Sequence, residues 1–130
     1  MRILPTRWHG LLDYLVAFLL LAAPALFDLP QGPARNVPMA LGAVTILYSL
    51  FTQYEWGLVR VLPMRLHLIL DLLNGLLLAL SPWLFGFSDR VYLPHCIIGF
   101  TELFVTLITA LRRPASFRSA SQTNNIQNTD

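Results

Sequence analysis

Four long stretches with hardly any charged residues constrain this chain more than any other feature. They lie at about residues 8–27, 37–54, 66–85 and 93–111. A helix needs about 20 mostly apolar residues to cross the ~30 Å hydrocarbon core of a bilayer, and each stretch approaches that length. The sequence is 55% hydrophobic and only 12% charged, whereas soluble domains are about a quarter charged. The pattern predicts an all-α, four-helix transmembrane bundle with short loops, surrounded by a lipid bilayer.

The chain divides into one membrane domain, residues 1–111, and a polar tail, residues 112–130. The tail has few large apolar side chains, a composition typical of disordered segments. Inside the membrane domain, Asn36 is a suitable N-cap and Pro38 fits a first helical turn, so the second helix is expected to begin near Val37.

The arginines predict how the chain is oriented in the membrane. If the N-terminus is cytoplasmic, the outer loops carry only Arg35 and Arg90. The inner side then holds the other seven: Arg2, Arg7, Arg60, Arg65, Arg112, Arg113 and Arg118. Because cytoplasmic loops are enriched in positive charge, both termini are expected in the cytoplasm. The net charge of +2 is small and scattered, so no nucleic acid partner is expected.

The first and third apolar stretches are copies of each other. Residues 5–27 and 63–85 are identical at 11 of 23 positions at an offset of 58, without a gap. Leucine matches are common in apolar segments, so the repeat rests on the shared pattern P-x-R-x-H-x-x-x-D and on a later proline. Gly42 matches Gly99 at an offset of 57. We predict two tandem hairpins, about 5–54 and 63–111, related by a pseudo-twofold axis along the membrane normal.

The second copy carries a recognisable motif, Ser-Pro-Trp followed by Leu-Phe-Gly-Phe. The full pattern consists of His67, Asp71, residues 81–87, Pro94, His95 and Gly99. Over about residues 5–111 the chain thereby resembles the SPW-repeat family of small bacterial integral membrane proteins. The resemblance implies two-helix membrane units and no established reaction, and we expect a bacterial inner (cytoplasmic) membrane location. The first copy departs from the motif, with Ala-Pro-Ala at residues 23–25 and Asp28 in place of Gly86.

A histidine and an aspartate four residues apart occur in both copies, as His9 with Asp13 and His67 with Asp71. Such residues share one helix face, about 6 Å apart along the axis. A carboxylate that accepts a hydrogen bond from one imidazole nitrogen leaves the other nitrogen free to bind a metal or carry a proton. Two interpretations stay open. Each aspartate pairs with its own histidine or a nearby arginine, or the two pairs converge into one site at the cytoplasmic side.

Glu102 lies near the middle of the fourth stretch, where an unpaired charge costs about 2.5–3.5 kcal/mol on insertion scales. Asn74, one turn deeper than Asp71, reaches a similar depth from the third stretch. We predict a Glu102–Asn74 contact that continues toward the cytoplasmic side through the His/Asp pair of that stretch. The equivalent positions of the first copy are Val16 and about Thr45, so this polar track is expected in the second hairpin alone.

These features favour two classes of function. The first is a non-enzymatic structural or accessory membrane component, in which the polar residues hold the bundle together. The second is a ligand, metal or proton site on the cytoplasmic side of the bundle, and its candidate residues are His67, Asp71, His9, Asp13, Glu102 and Asn74. No nucleophile with a matching base can be named, so an enzyme is not favoured, and no cofactor is expected. Self-association or membership of a larger membrane complex would cover exposed helix faces.

Overall fold

The structure is a computed structural model that describes residues 6–110. Within this range the chain forms four α-helices and no strand: α1 (Thr6–Leu26), α2 (Pro33–Leu50), α3 (Met64–Leu84) and α4 (Leu93–Ala110). α1 packs mainly against α2 and α3 mainly against α4, while α2 with α3 and α1 with α4 connect the two hairpins. The predicted all-α bundle is confirmed. The pseudo-twofold axis stays a prediction, and the predicted tail lies outside the described residues.

Three of the four helices, α1, α3 and α4, are long and apolar enough to cross a membrane. α2 matches α4 in length but is less apolar, because Arg35 and Asn36 lie in its first turn. Large apolar side chains cover the outside of the bundle, among them Phe18, Leu73 and Phe104. An apolar surface of this extent suits lipid rather than water, so the chain is a small membrane protein.

α2 begins earlier than the sequence predicts. It starts at Pro33 rather than near Val37, and Asn36 is not its N-cap. Gly32 occupies the cap position, and its carbonyl accepts a hydrogen bond from the Asn36 N–H at 2.9 Å. Proline suits the first helical position because an N–H there would have no partner within the helix.

α1 and α3 end with the same turn, although only α3 has the complete motif. The main-chain N–H groups of Leu29 and Phe87 return to the carbonyl of the last proline in each helix, at 3.1 and 2.8 Å. The residues before them, Asp28 and Gly86, have positive φ values of 48° and 68°. Glycine adopts this conformation freely, and aspartate is one of the few other residues that tolerate it. Asp28 therefore preserves the turn that Gly86 makes.

Small residues bring the two helices of each hairpin together. A Cβ atom on Gly42 would lie 2.7 Å from the carbonyl oxygen of Ala17, and one on Gly99 would lie 2.7 Å from the carbonyl oxygen of Gly75. The apolar centre of the bundle is made by Leu20, Leu78 and Ile98, with Val16, Leu19, Val37 and Leu41 packed around them. This apolar layer separates the two ends of the bundle.

Residues 51–63, between α2 and α3, form a compact loop over the end of the bundle that holds the first turn of α1. The loop is closed by main-chain hydrogen bonds between its two ends. Trp56 Nε1 donates to the Arg7 carbonyl at 2.9 Å, and the Tyr14 hydroxyl donates to the Trp56 carbonyl at 3.1 Å. Tyr54, which belongs to the loop, is buried and its ring packs against that of His67. The 51–63 loop therefore covers the starts of α1 and α3.

Candidate functional site

Four side chains near the start of α1 and α3 converge beneath the 51–63 loop. They are His9 and Asp13 of α1 with His67 and Asp71 of α3, and one ligand atom from each lies within 4.8 Å of the others. All four are buried, and the histidines are only 1% and 0% exposed. The sequence places the histidines at the membrane interface, but the loop above them removes them from solvent. These four residues are called the His/Asp cluster below.

The shortest contacts in the His/Asp cluster run between the hairpins. His9 Nε2 lies 3.0 Å from Asp71 Oδ2, and His67 Nε2 lies 2.9 Å from Asp13 Oδ2. The corresponding distances within each helix are longer, 3.5 Å in α1 and 3.2 Å in α3. Within residues 6–110, no arginine forms an ion pair with either aspartate. Of the two geometries that the sequence left open, the structure has the convergent one.

One threonine holds the Nδ1 atom of each imidazole in the cluster. Thr52 Oγ1 lies 2.8 Å from His67 Nδ1, and Thr109 Oγ1 lies 3.1 Å from His9 Nδ1. Each hydroxyl also donates to the main-chain carbonyl four residues earlier, at 2.7 Å for Thr52 and 2.8 Å for Thr109. A hydroxyl has a single proton, so each threonine must accept its second hydrogen bond from Nδ1–H of the histidine. The Nε2 atom of both histidines therefore faces the carboxylates.

This arrangement requires positive charge at the centre of the His/Asp cluster. A neutral imidazole with its proton on Nδ1 presents only a lone pair at Nε2. Lone pairs facing carboxylate oxygens at 2.9 and 3.0 Å would repel. Either a proton lies in each histidine–aspartate contact, or a cation lies among the ligand atoms. Both solutions satisfy the buried carboxylates.

The spacing of the ligand atoms allows all four residues to contact one small metal ion, since one ligand atom from each lies within 4.8 Å of the others. Zn²⁺ binds imidazole nitrogen and carboxylate oxygen at about 2.0–2.2 Å. The four histidine–aspartate contacts, at 2.9, 3.0, 3.2 and 3.5 Å, are short enough for one ion to bridge the two partners of each. Asp13 uses Oδ2 toward His67 and Oδ1 toward His9.

Tyr48 supports the His/Asp cluster from α2. Its hydroxyl donates to Asp71 Oδ1 at 2.6 Å, and its ring packs against the His67 ring with centroids 5.1 Å apart. The sequence analysis missed Tyr48, Thr52 and Thr109. The two threonines could have been found, since they are equivalent at the repeat offset of 57. Tyr48 has no polar equivalent in the second hairpin, and its role depends on how α2 packs against α3.

The predicted contact between Glu102 and Asn74 is present, because Asn74 Nδ2 donates to Glu102 Oε1 at 2.9 Å. The same amide donates to Thr45 Oγ1 at 2.9 Å, and the Tyr48 hydroxyl lies 3.3 Å from that oxygen. Tyr48 in turn contacts Asp71, so Glu102 is linked to the His/Asp cluster. The prediction that this track lies in the second hairpin alone is wrong. Thr45 and Tyr48 belong to α2, which packs against α3 at this depth.

The third histidine of the described chain, His95, does not join the site. Its Nε2 lies 2.9 Å from the Ala34 carbonyl, and its ring packs against Phe87. This contact ties α4 to the start of α2 at the opposite end of the bundle.

Fold and site together define a small four-helix membrane protein whose two hairpins are joined by a buried cluster of two histidines and two aspartates. A family model described as the SPW repeat domain matches residues 7–109, a range that contains the whole His/Asp cluster. The chain belongs to the SPW repeat family, as the motif at residues 81–87 predicted. Comparison with curated proteins and with solved structures finds no match.

Proposed function

We propose that this chain is a non-enzymatic membrane protein that binds a divalent transition-metal ion at the His/Asp cluster. The observation that carries the proposal is the convergence of two imidazole nitrogens and two carboxylates within 4.8 Å, with both Nδ1 atoms already held by threonines. Two imidazole and two carboxylate ligands suit Zn²⁺ and its first-row neighbours. Zn²⁺ is the ion we propose first, because imidazole nitrogen and carboxylate oxygen are among its usual ligands.

The hydrogen bonds around the ligands support this proposal. A metal-binding histidine commonly donates its other ring N–H to an oxygen, which orients the ring and raises its basicity as a ligand. Thr52 and Thr109 accept these hydrogen bonds from His67 and His9. Tyr48 holds Oδ1 of Asp71, which leaves Oδ2 of that residue to face the centre. The rings and the carboxylate are therefore oriented before an ion arrives.

A divalent ion also satisfies the charge balance of the cluster. Two buried carboxylates beside neutral imidazoles carry two negative charges, and charge that is neither paired nor bound to a metal is very costly in a buried site. An ion of charge +2 removes that excess while both histidines stay neutral, the form in which they bind metals.

A metal-free cluster is the second candidate, and the short contacts between the hairpins support it. In this case each contact holds a proton, and two imidazolium–aspartate pairs join α1 to α3. The protein would then act as a structural or accessory membrane component. Removing one partner of such a buried pair costs about 3–5 kcal/mol, so the pairs would be essential to the fold.

We also propose that the His/Asp cluster lies at the cytoplasmic side of a bacterial inner membrane, with both termini in the cytoplasm. The distribution of the arginines supports this orientation. Self-association or a place in a larger membrane complex remains a proposal, supported by the apolar outer faces of the helices.

Metal analysis of the protein purified in mild detergent tests the metal site. We expect close to one Zn²⁺ bound per chain after incubation and desalting, and loss of this ion in His67→Ala and Asp13→Asn. His95→Ala is the matched control, since it also removes a buried histidine but leaves the His/Asp cluster intact. Asp28→Asn is the control for charge. A wild-type protein that binds no divalent transition metal, with variants that only unfold more easily, would refute the metal site and favour the second candidate.

A further inference from the structure

A small cavity of about 50 Å³ lies beside the His/Asp cluster, between α1, α2 and α4. Two members of the cluster, His9 and Asp13, line one side of the cavity. Glu102 and Thr106 of α4 line another part of it. The remaining lining is aliphatic or threonine side chains. The cavity therefore connects the cluster with the middle of α4.

Two residues that line the cavity each have a buried polar atom without a hydrogen bond. Glu102 Oε2 and Thr106 Oγ1 have no partner among residues 6–110. The two residues are four apart on α4 and so lie on the same face of that helix. Asn74 holds the other oxygen of Glu102 at 2.9 Å, which fixes the carboxyl group and leaves Oε2 free. Buried polar atoms in folded proteins are nearly always satisfied by protein or by ordered water.

The volume of the cavity is sufficient for water, and its mostly apolar wall includes a few polar groups. A site holds a water molecule when it offers about 10–15 Å³ and two to four polar partners. This cavity has about 50 Å³, and Asp13, Glu102 and Thr106 supply polar atoms. Beyond it lies the apolar centre of the bundle, which contains Leu20, Leu78 and Ile98.

We infer that this cavity is a binding pocket for water or a similarly small polar ligand, held by Glu102 and Thr106 and open to the His/Asp cluster. The pocket gives the cluster one solvated side. A metal held by the four residues of the cluster would have this pocket beside it, so that a water or small anion from the pocket would be its fifth ligand; this consequence rests on the proposed metal site.

Water-edited solid-state NMR of the chain in lipid bilayers tests the pocket without any metal. We expect rapid magnetisation transfer from water to the side chains of Glu102 and Thr106. Val16→Leu adds a methylene group to the cavity wall and should reduce that transfer several-fold. Val37→Leu is the matched control, because it makes the same change beside the apolar centre and outside the cavity. Absence of transfer to both side chains in the wild type overturns the inference, whether or not a metal binds.

Azide binding to the Co²⁺-loaded protein tests the connection between the pocket and the cluster. We expect azide to change the visible Co²⁺ spectrum saturably, and Val16→Leu to weaken azide binding at least tenfold while Co²⁺ affinity changes less than twofold. A bound Co²⁺ whose spectrum azide does not alter would overturn the fifth ligand position. Water transfer to Glu102 in a chain that binds no metal would support the pocket and refute the proposed metal site, so the two failures are distinguishable.

Discussion

His67 Nε2 lies 2.9 Å from Oδ2 of Asp13, an aspartate 54 residues earlier in the chain and on the other hairpin. The aspartate on its own helix, Asp71, is 3.2 Å away. His9 makes the reciprocal contact with Asp71 at 3.0 Å. The local His-x-x-x-Asp spacing by itself describes two separate pairs, each within one helix. In the structure the four residues instead link α1 to α3. Metal affinity and hairpin association should therefore be coupled.

Loss of the threonine behind His9 should weaken metal binding without removing a ligand. Thr109→Val abolishes the acceptor for Nδ1–H, so the ring loses its fixed tautomer and orientation. Such changes typically cost 10–100-fold in metal affinity, and we expect a Zn²⁺ dissociation constant raised by about that factor in competition titrations. Thr101→Val is the control on the same helix, because the Thr101 hydroxyl donates to the Ile97 carbonyl and makes no hydrogen bond with the His/Asp cluster among residues 6–110. Equal effects of the two substitutions would contradict the assigned role.

Metal should stabilise the fold by mass action. An ion that binds only the folded chain adds about 2.7 kcal/mol to the free energy of unfolding when its free concentration is a hundred times the dissociation constant. We expect reversible unfolding in mixed micelles to show this gain with Zn²⁺ and to lose it with a chelator. His9→Gln should abolish the gain, and His95→Gln should retain it. A free energy of unfolding that does not depend on the Zn²⁺ concentration would contradict metal binding at the His/Asp cluster.

The 51–63 loop should control how quickly the ion is released. Tyr54 lies over His67, with ring centroids 5.3 Å apart, and a Cβ on Gly10 would overlap the Tyr54 ring. Burial raises the pKa of the Tyr54 phenol above its ordinary value, so the ring covers the site as a neutral group. Gly10→Ala should displace this ring and speed Zn²⁺ loss to a chelator several-fold in stopped-flow experiments. Leu11→Ala, at an exposed neighbouring position, should leave the rate unchanged.

The turn after α3 should tolerate aspartate better than alanine. Gly86 has a φ of 68°, and apart from its chain neighbours no atom of residues 6–110 would lie within 4 Å of a Cβ added there, so a substitution acts through the backbone. Residues with a Cβ pay about 1–2 kcal/mol for this conformation, but Asp28 adopts it in the equivalent turn. We expect Gly86→Ala to lower the free energy of unfolding by about 1 kcal/mol and Gly86→Asp by less. The reverse order would contradict the equivalence of the two turns.

Much of the site could be predicted because the chain repeats itself. The spacing of His67 and Asp71 places them on one helix face. The same spacing of His9 and Asp13 indicates that the first copy has an equivalent polar face. The depth of Glu102 similarly required a polar partner, and Asn74 was the one available at that depth.

The remaining features depend on tertiary packing. Which histidine meets which aspartate is decided by how closely α1 approaches α3, and no local pattern encodes that distance. The burial of the histidines comes from the 51–63 loop, whose path follows from Trp56 and Tyr54 contacts rather than from periodicity. At the start of α2 the sequence offers two possible N-caps, Asn36 and Gly32. The helix begins after Gly32, with Pro33 in its first position.

X-ray absorption at the zinc edge of the Zn²⁺-loaded protein tests the central claim most directly. The proposed site predicts only nitrogen and oxygen ligands at about 2.0–2.2 Å, with outer-shell scattering from two imidazole rings. His67→Ala should remove one of these rings or the ion itself, and His95→Ala should leave the spectrum unchanged. A protein that retains no zinc, or a spectrum without two imidazoles, would contradict a metal site at His9, Asp13, His67 and Asp71.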